Sequence, residues 1–164
     1  MKTQRLLVIT VLVALLLAVP ATAQARKNVW KARLTTGAEL HEVVGSTASG
    51  SAVFGTNPNG SIRFQMQVMN LSGPVNGAHI HGPADETQNA PVLITLCGNP
   101  TPGVVATCEL VDGILRVEGS ISSSLLASTG VTGRQFFEYL DAGMLYVNVH
   151  TALNPAGEVR GQIY

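Results

Sequence analysis

No excess charge of either sign marks this 164-residue chain, in which ten Lys and Arg balance ten Asp and Glu. A surface without a net field has no electrostatic claim on nucleic acid or on anionic lipid, so neither is expected as a partner. Long hydrophobic runs are missing as well. The run at 6–19 is short for a membrane span; it follows Lys2 and Arg5 and precedes Ala21-Thr22-Ala23, the layout of an export signal with a small-residue cleavage site. Residues 1–23 are therefore predicted to be a signal peptide and 24–164 a single domain, with no membrane insertion once the signal is removed. Without Lys2 and Arg5, eight basic residues face ten acidic ones, a formal charge of −2. No cysteine lies beside the cleavage site, which excludes lipid attachment there.

Cysteine is scarce. Cys97 and Cys108 are the only two, and they lack the C-x-x-C spacing of redox or metal-binding pairs. Export leads to compartments where disulfides persist, and Gly98-Asn99-Pro100-Thr101-Pro102-Gly103 between them is turn-rich, so a structural disulfide is predicted. Also absent are a G-x-S-x-G elbow, a phosphate-cradling glycine loop and H-E-x-x-H, and with them the usual signatures of serine hydrolases, nucleotide enzymes and zinc proteases. There is no internal repeat, long linker or charge run. The expected localisation is secreted, either extracellular or periplasmic.

Sustained helical periodicity is nearly absent; period-2 alternation takes its place. In 61–69, Ile62, Phe64, Met66 and Val68 alternate with Arg63, Gln65 and Gln67, the pattern of a half-buried antiparallel strand. Val147 and Val149 are predicted to face the same core. Shorter signals lie at 29–34, 51–54, 75–81, 92–96, 114–121, 144–150 and 158–164, separated by turn chemistry at Asn57-Pro58-Asn59-Gly60, Asp112-Gly113 and Asn154-Pro155-Ala156-Gly157. Many short strands with frequent turns predict an all-β fold, an antiparallel β-sandwich of immunoglobulin-like or superoxide-dismutase-like Greek-key type. One short helix is expected at 132–142, before the penultimate strand, where Phe136, Phe137 and Leu140 share a face and Gly143 offers a stop; 122–128 reads as a further helical turn.

Chemistry concentrates in histidine. In Ala78-His79-Ile80-His81 and in Val147-Asn148-Val149-His150, the histidines occupy one parity and apolar residues the other, so each segment turns its imidazoles to one face of a strand. If the two strands adjoin, His79, His81 and His150 converge on the outer face of the sheet as a site for copper or zinc. Asn148 stands alongside on the same face. Glu158 and Arg160, if hairpin-paired beside His150, are candidates for outer partners of the metal ligands; the plainer reading is a surface ion pair setting strand register. Likewise, the plainer reading of His79 and His81 is a polar strand face whose rings bond backbone or Asp85 and Glu86. His41, beside Glu39 and Glu42, is expected to be a solvated loop residue. Metal binding is expected to weaken as pH falls through about 6.5, the ordinary histidine value, because the ligands must be deprotonated.

Three runs together are similar to the CHRD domain, the module named from chordin: Ala78-His79-Ile80-His81-Gly82-Pro83-Ala84, Tyr146-Val147-Asn148-Val149-His150-Thr151, and 154–163 with its Gly157-Glu158-Val159-Arg160-Gly161-Gln162 core. Leu34-Thr35-Thr36-Gly37-Ala38-Glu39 and Gly50-Ser51-Ala52-Val53-Phe54 fit the flanking pattern. The resemblance covers nearly all of 24–164 and implies an all-β extracellular domain, with no general activity attached. His41 stands where the pattern commonly carries proline, so no role passes to it, and the cysteine pair lies outside the shared pattern. Locally, His-x-His on one strand and Val-x-His on a later one also resemble the copper ligands of copper–zinc superoxide dismutase, but no further histidine lies between them to bridge a second metal. The function expected is thus a secreted CHRD-type binding module holding a transition metal, with an extracellular protein as a further partner. Two rivals stand beside it, a copper-dependent oxidoreductase and a metal-free interaction domain.

Overall fold

A computed structural model describes residues 27–98 and 105–164; the predicted signal peptide lies outside these described residues. Alternation in sequence becomes alternation in burial. β1 (Val29–Thr35) buries Trp30, Ala32 and Leu34; β2 (Ser49–Thr56) buries Ala52 and Phe54; and β3 (Ile62–Met69) buries Ile62, Phe64, Met66 and Val68 while Arg63, Gln65 and Gln67 face outward. β4 (Val75–His81), β5 (Val92–Gly98), β7 (Ile114–Ile121), β8 (Tyr146–Thr151) and β9 (Val159–Gln162) complete the walls of one continuous core, which includes Val147 and Val149.

All the strand pairs are antiparallel, and with β6 at Glu109–Val111 the sheet runs β5-β4-β8-β9-β1-β2-β3-β7-β6. The sheet curls until β5 and β7, from opposite ends, come into contact around the shared core. The all-β antiparallel architecture is the one expected from the sequence, and its two facing layers are parts of a single hydrogen-bonded sheet rather than separate sheets. One strand escaped the sequence pattern. β6 (Glu109–Val111) exposes all three residues, so it has no apolar alternation to read; it folds back on β7 through Asp112 and Gly113, whose φ values of 51° and 75° suit a two-residue hairpin turn.

Two short helices cap the core. α1 (Ser123–Ser128) starts where Ser122 Oγ accepts a bond from Leu125 N, and α2 (Gly133–Asp141) starts on a reciprocal cap, with Thr132 Oγ1 accepting from Gln135 N at 3.2 Å and Gln135 Oε1 from Thr132 N at 3.0 Å. Leu126, Phe136 and Leu140 are their buried residues. Trp30 Nε1 donates to Asp141 Oδ1 at 3.1 Å, which ties α2 to β1.

Cys97 and Cys108 are bonded to each other, as predicted. The bridge joins β5 to the segment leading into β6, where Val105 N and Ala106 N donate to Thr95 O and Leu96 O. Closing a loop of that length restricts the unfolded chain by about 3 kcal/mol in the chain-entropy treatment. The double variant Cys97→Ala/Cys108→Ala is expected to lose stability of that order in urea denaturation; an unchanged midpoint would show that the bridge contributes nothing.

Candidate metal centre

Register brings the histidines together. β4 and β8 are neighbours, with His79 opposite Asn148, His81 opposite Tyr146 and Gly77 opposite His150, and β8 pairs in turn with β9, placing Arg160 opposite Asn148. Ala78, Ile80, Val147 and Val149 point into the core, so His79, His81, Asn148 and His150 share the other face. The ligand atoms of the three histidines lie within 4.8 Å of one another, with ring centroids 4.9 Å apart for His79 and His150, 5.7 Å for His79 and His81, and 6.1 Å for His81 and His150.

This outer face is not a solvated one. Residues 39–48 and 82–91 fold over it, leaving His79 4% and His81 9% exposed and Asn148, Glu158 and Arg160 at 3%, 0% and 1%. His81 Nδ1 lies 2.9 Å from Ala90 O, and His150 Nδ1 lies 3.1 Å from Pro155 O. A carbonyl oxygen only accepts, so in each ring Nδ1 carries the proton and Nε2 keeps its lone pair. Both Nε2 atoms are buried without a hydrogen-bond partner among the described residues. Metal-binding histidines are commonly arranged this way, with the second nitrogen donating to a fixed acceptor. Asp85 and Glu86 do not serve these rings: Asp85 Oδ1 accepts from Thr87, and Glu86 accepts from the Tyr164 hydroxyl.

Desolvation favours the neutral form of two of these rings. Burial pushes the His81 pKa down to about 4, opposed by its bond to Ala90 and reinforced by His79 and His150; burial and then His79 bring His150 down to about 4 as well. Glu39 moves the other way. Burial raises its carboxyl to about 7 against the pull of His41, Arg160 and the Asn148 amide, whose Nδ2 donates to Glu39 Oε1 at 2.5 Å. Asn148 Oδ1 has no hydrogen-bond partner among the described residues. Gly157, at φ 136°, leaves room for this contact, since a Cβ there would sit 2.7 Å from both Asn148 Nδ2 and Glu39 Oε1.

Glu158 and Arg160 do not form the surface ion pair of the plainer sequence reading. Side chains on the same face of a strand are two residues apart, but these two turn to different loops. The Glu158 carboxylate accepts from Ser46 Oγ, Ser72 N, Ser72 Oγ and Thr151 Oγ1, while the Arg160 guanidinium donates to Asn89 Oδ1 and to the Asp85 and Gln88 carbonyls. His41 is exposed, as expected of a loop residue, yet its Nε2 donates to Gly157 O at 3.0 Å. Two contributors had no sequence signal: Ala90 and Pro155 act through backbone carbonyls, which no residue type reveals. Tyr146 was visible only by parity; its ring stacks on His81 at 4.9 Å and 6°, with Arg160 Cζ 3.6 Å from its centroid.

An antiparallel β-domain bearing a cluster of three imidazoles under two covering loops is the class that fold and geometry define. The chain belongs to the CHRD domain family, whose pattern matches residues 30–163. Chordin of Danio rerio is 33% identical over 132 residues, which make up 79% of this chain but only 12% of that protein. No solved structure matches the chain. Among the described residues, no helix is long and apolar enough to cross a membrane.

Proposed function

We propose that this CHRD domain is an extracellular binding module that holds one copper or zinc ion through His79, His81 and His150. The observation that carries the reading is the pair of buried Nε2 lone pairs, on His81 and His150, whose rings are locked by carbonyl acceptors on the opposite nitrogen. Neutral imidazoles suit both metals, and three protein ligands leave a coordination position for water or a further ligand. Ligand atoms spread over as much as 4.8 Å need to close by about 1 Å to meet an ion whose nitrogens sit roughly 3–4 Å apart. An organic substrate is a poorer fit. A surface concavity of about 550 Å³, lined by Ser51, Gln65, Gln67, Arg116 and Glu118, lies on the outer face of β2, β3 and β7, away from the histidines. Kinship with chordin and the disulfide support a place outside the cell and an extracellular protein partner.

Calorimetric titration of tag-free protein with Zn²⁺ and Cu²⁺ tests the reading. The parent is expected to bind one ion, and the triple variant His79→Ala/His81→Ala/His150→Ala to lose affinity by roughly 100-fold or more while staying folded. Equal affinity of parent and triple variant rules the site out. The structure also alters the expected pH dependence. Protonation of His81 and His150 sets in near 4 rather than 6.5, so these two ligands stay available well below the ordinary histidine range. Titration at pH 5.5 is expected to retain binding, and its collapse between pH 7 and 6 would contradict the buried, neutral description of these rings.

A further inference from the structure

We propose that Arg160 is a positioning residue for the histidine cluster, acting through residues 85–90 to fix which nitrogen of His81 carries the proton. The proposal rests on the reading of His81 as a metal ligand and adds a determinant of that ligand's state. Arg160 stands on β9, separated from His81 on β4 by β8; its charge is felt at His81, but its hydrogen bonds all go to residues 85–89.

The connection is continuous. Arg160 Nη1 donates to Asn89 Oδ1 at 2.9 Å, and Nη2 donates to Asp85 O at 2.9 Å and Gln88 O at 2.8 Å, so three acceptors of the turn just before Ala90 converge on one planar group. Ala90 is then held at both ends of its peptide frame. Its N–H donates to the Tyr146 hydroxyl at 3.0 Å, and its carbonyl takes the His81 Nδ1 proton at 2.9 Å. Tyr146 belongs to the same assembly, stacked on His81 and bearing the Arg160 guanidinium 3.6 Å from its ring centroid.

The energetics argue for purpose in the fork. Arg160 is 1% exposed, and among the described residues no carboxylate lies within ion-pair distance of it, so a full charge is buried with direct bonds to neutral acceptors, and the carboxyls of Glu39 and Asp85 act on it only from farther off. That is a costly way to fill space, since an apolar side chain of similar volume is often as stable or more so. What an apolar side chain cannot do is bind three acceptors in fixed directions. Without the Ala90 carbonyl in place, a neutral imidazole is free to carry its proton on Nε2, the buried nitrogen that otherwise keeps its lone pair, and a protonated Nε2 has no lone pair for a metal.

Nitrogen-15 spectra of the histidine rings in the metal-free protein at pH 7, read beside Zn²⁺ titration, test this. The parent is expected to show His81 protonated on Nδ1 alone. Arg160→Gln and Arg160→Lys, the second of which keeps the charge and loses the fork, are both expected to show a mixture of the two forms and a 10- to 100-fold weaker Zn²⁺ affinity. Asn89→Ala removes a single arm and keeps the fold should the arginine variants not; it is expected to shift both readouts in the same direction. A folded arginine variant, or Asn89→Ala should those not fold, with His81 still wholly protonated on Nδ1 overturns the proposal, as does full recovery of the parent's behaviour by Arg160→Lys. A parent that binds no Zn²⁺ defeats the metal reading instead, and the ring spectra still decide the role of Arg160.

Discussion

Glu158→Ala is expected to remove about 3–5 kcal/mol of folding stability, the range for breaking a buried charged network by deleting one partner. Glu158 is fully buried, and its carboxylate accepts four hydrogen bonds: from Ser46 Oγ at 2.6 Å, Ser72 N and Ser72 Oγ at 2.7 Å, and Thr151 Oγ1 at 2.5 Å. Burial pushes its pKa up, but the four donors outweigh burial and hold it below the usual carboxylate value. Truncation leaves those donors facing a void. It also frees the loop through Ser46, which covers the outer face. Glu158→Gln keeps the volume and an acceptor toward Ser46 and the Ser72 amide, so its loss is expected to be about half as large. Urea denaturation decides the matter, and a loss below about 1 kcal/mol for the alanine variant would show the network to be incidental. Metal affinity of the folded fraction should change little, since Glu158 bonds none of the three histidines.

Acid is expected to destabilise the metal-free protein between pH 6.5 and 4, through the cluster itself. His81 falls from 6.5 to about 4 on folding, so its contribution is complete above pH 6.5 and is lost as pH falls to about 4, a difference of about 3 kcal/mol. His150 shifts in the same direction and to the same value, with a smaller share because it is partly exposed. Glu39 has the opposite sign: raised from 4.5 to about 7, it contributes stability at low pH that is lost as pH rises through 7. Across the window from 4.5 to 6.5 the unfolded chain takes up two histidine protons while the folded chain keeps one on Glu39, so stability still climbs with pH. It then turns over near pH 6.5. Glu39→Gln removes the opposing contribution and is expected to be more stable than the parent at pH 8, by about 1 kcal/mol after allowance for solvent screening. Urea midpoints from pH 4 to 8 in the presence of a chelator measure both effects. A flat profile between 6.5 and 4 would mean that the rings are solvated. Saturating metal should raise the midpoint at neutral pH by mass action.

The alternation of Ile62, Phe64, Met66 and Val68 with Arg63, Gln65 and Gln67 was enough to set β3 on the sheet with the right face inward, because a strand has a two-residue period and only one face of this one is buried. The same reasoning located His79, His81 and His150 on a shared outer face, and the turn-rich span between Cys97 and Cys108, with the export expected from residues 1–23, was enough for the disulfide. β6 was illegible because nothing in it is buried. The polar parity of β8 and β9 was legible and misleading in one respect. It was compatible with a solvated face, and a solvated face would have made Glu158 and Arg160 a surface pair.

By itself, then, the sequence determined what short-range periodicity and chemistry can encode: an all-β antiparallel chain, its inward residues, the cysteine pair and the three imidazoles that share a face. Only the tertiary structure decided that residues 39–48 and 82–91 close over that face. The physical reason is that covering depends on bonds between residues far apart in the chain, Glu39 with Asn148, Ser46 with Glu158, and Arg160 with Asn89, while the acceptors that fix the His81 and His150 rings are the backbone carbonyls of Ala90 and Pro155, a group that every residue type shares. Burial by these loops, more than the identity of the histidines, is what lowers His81 and His150 to about 4 and turns a polar strand face into a desolvated cluster.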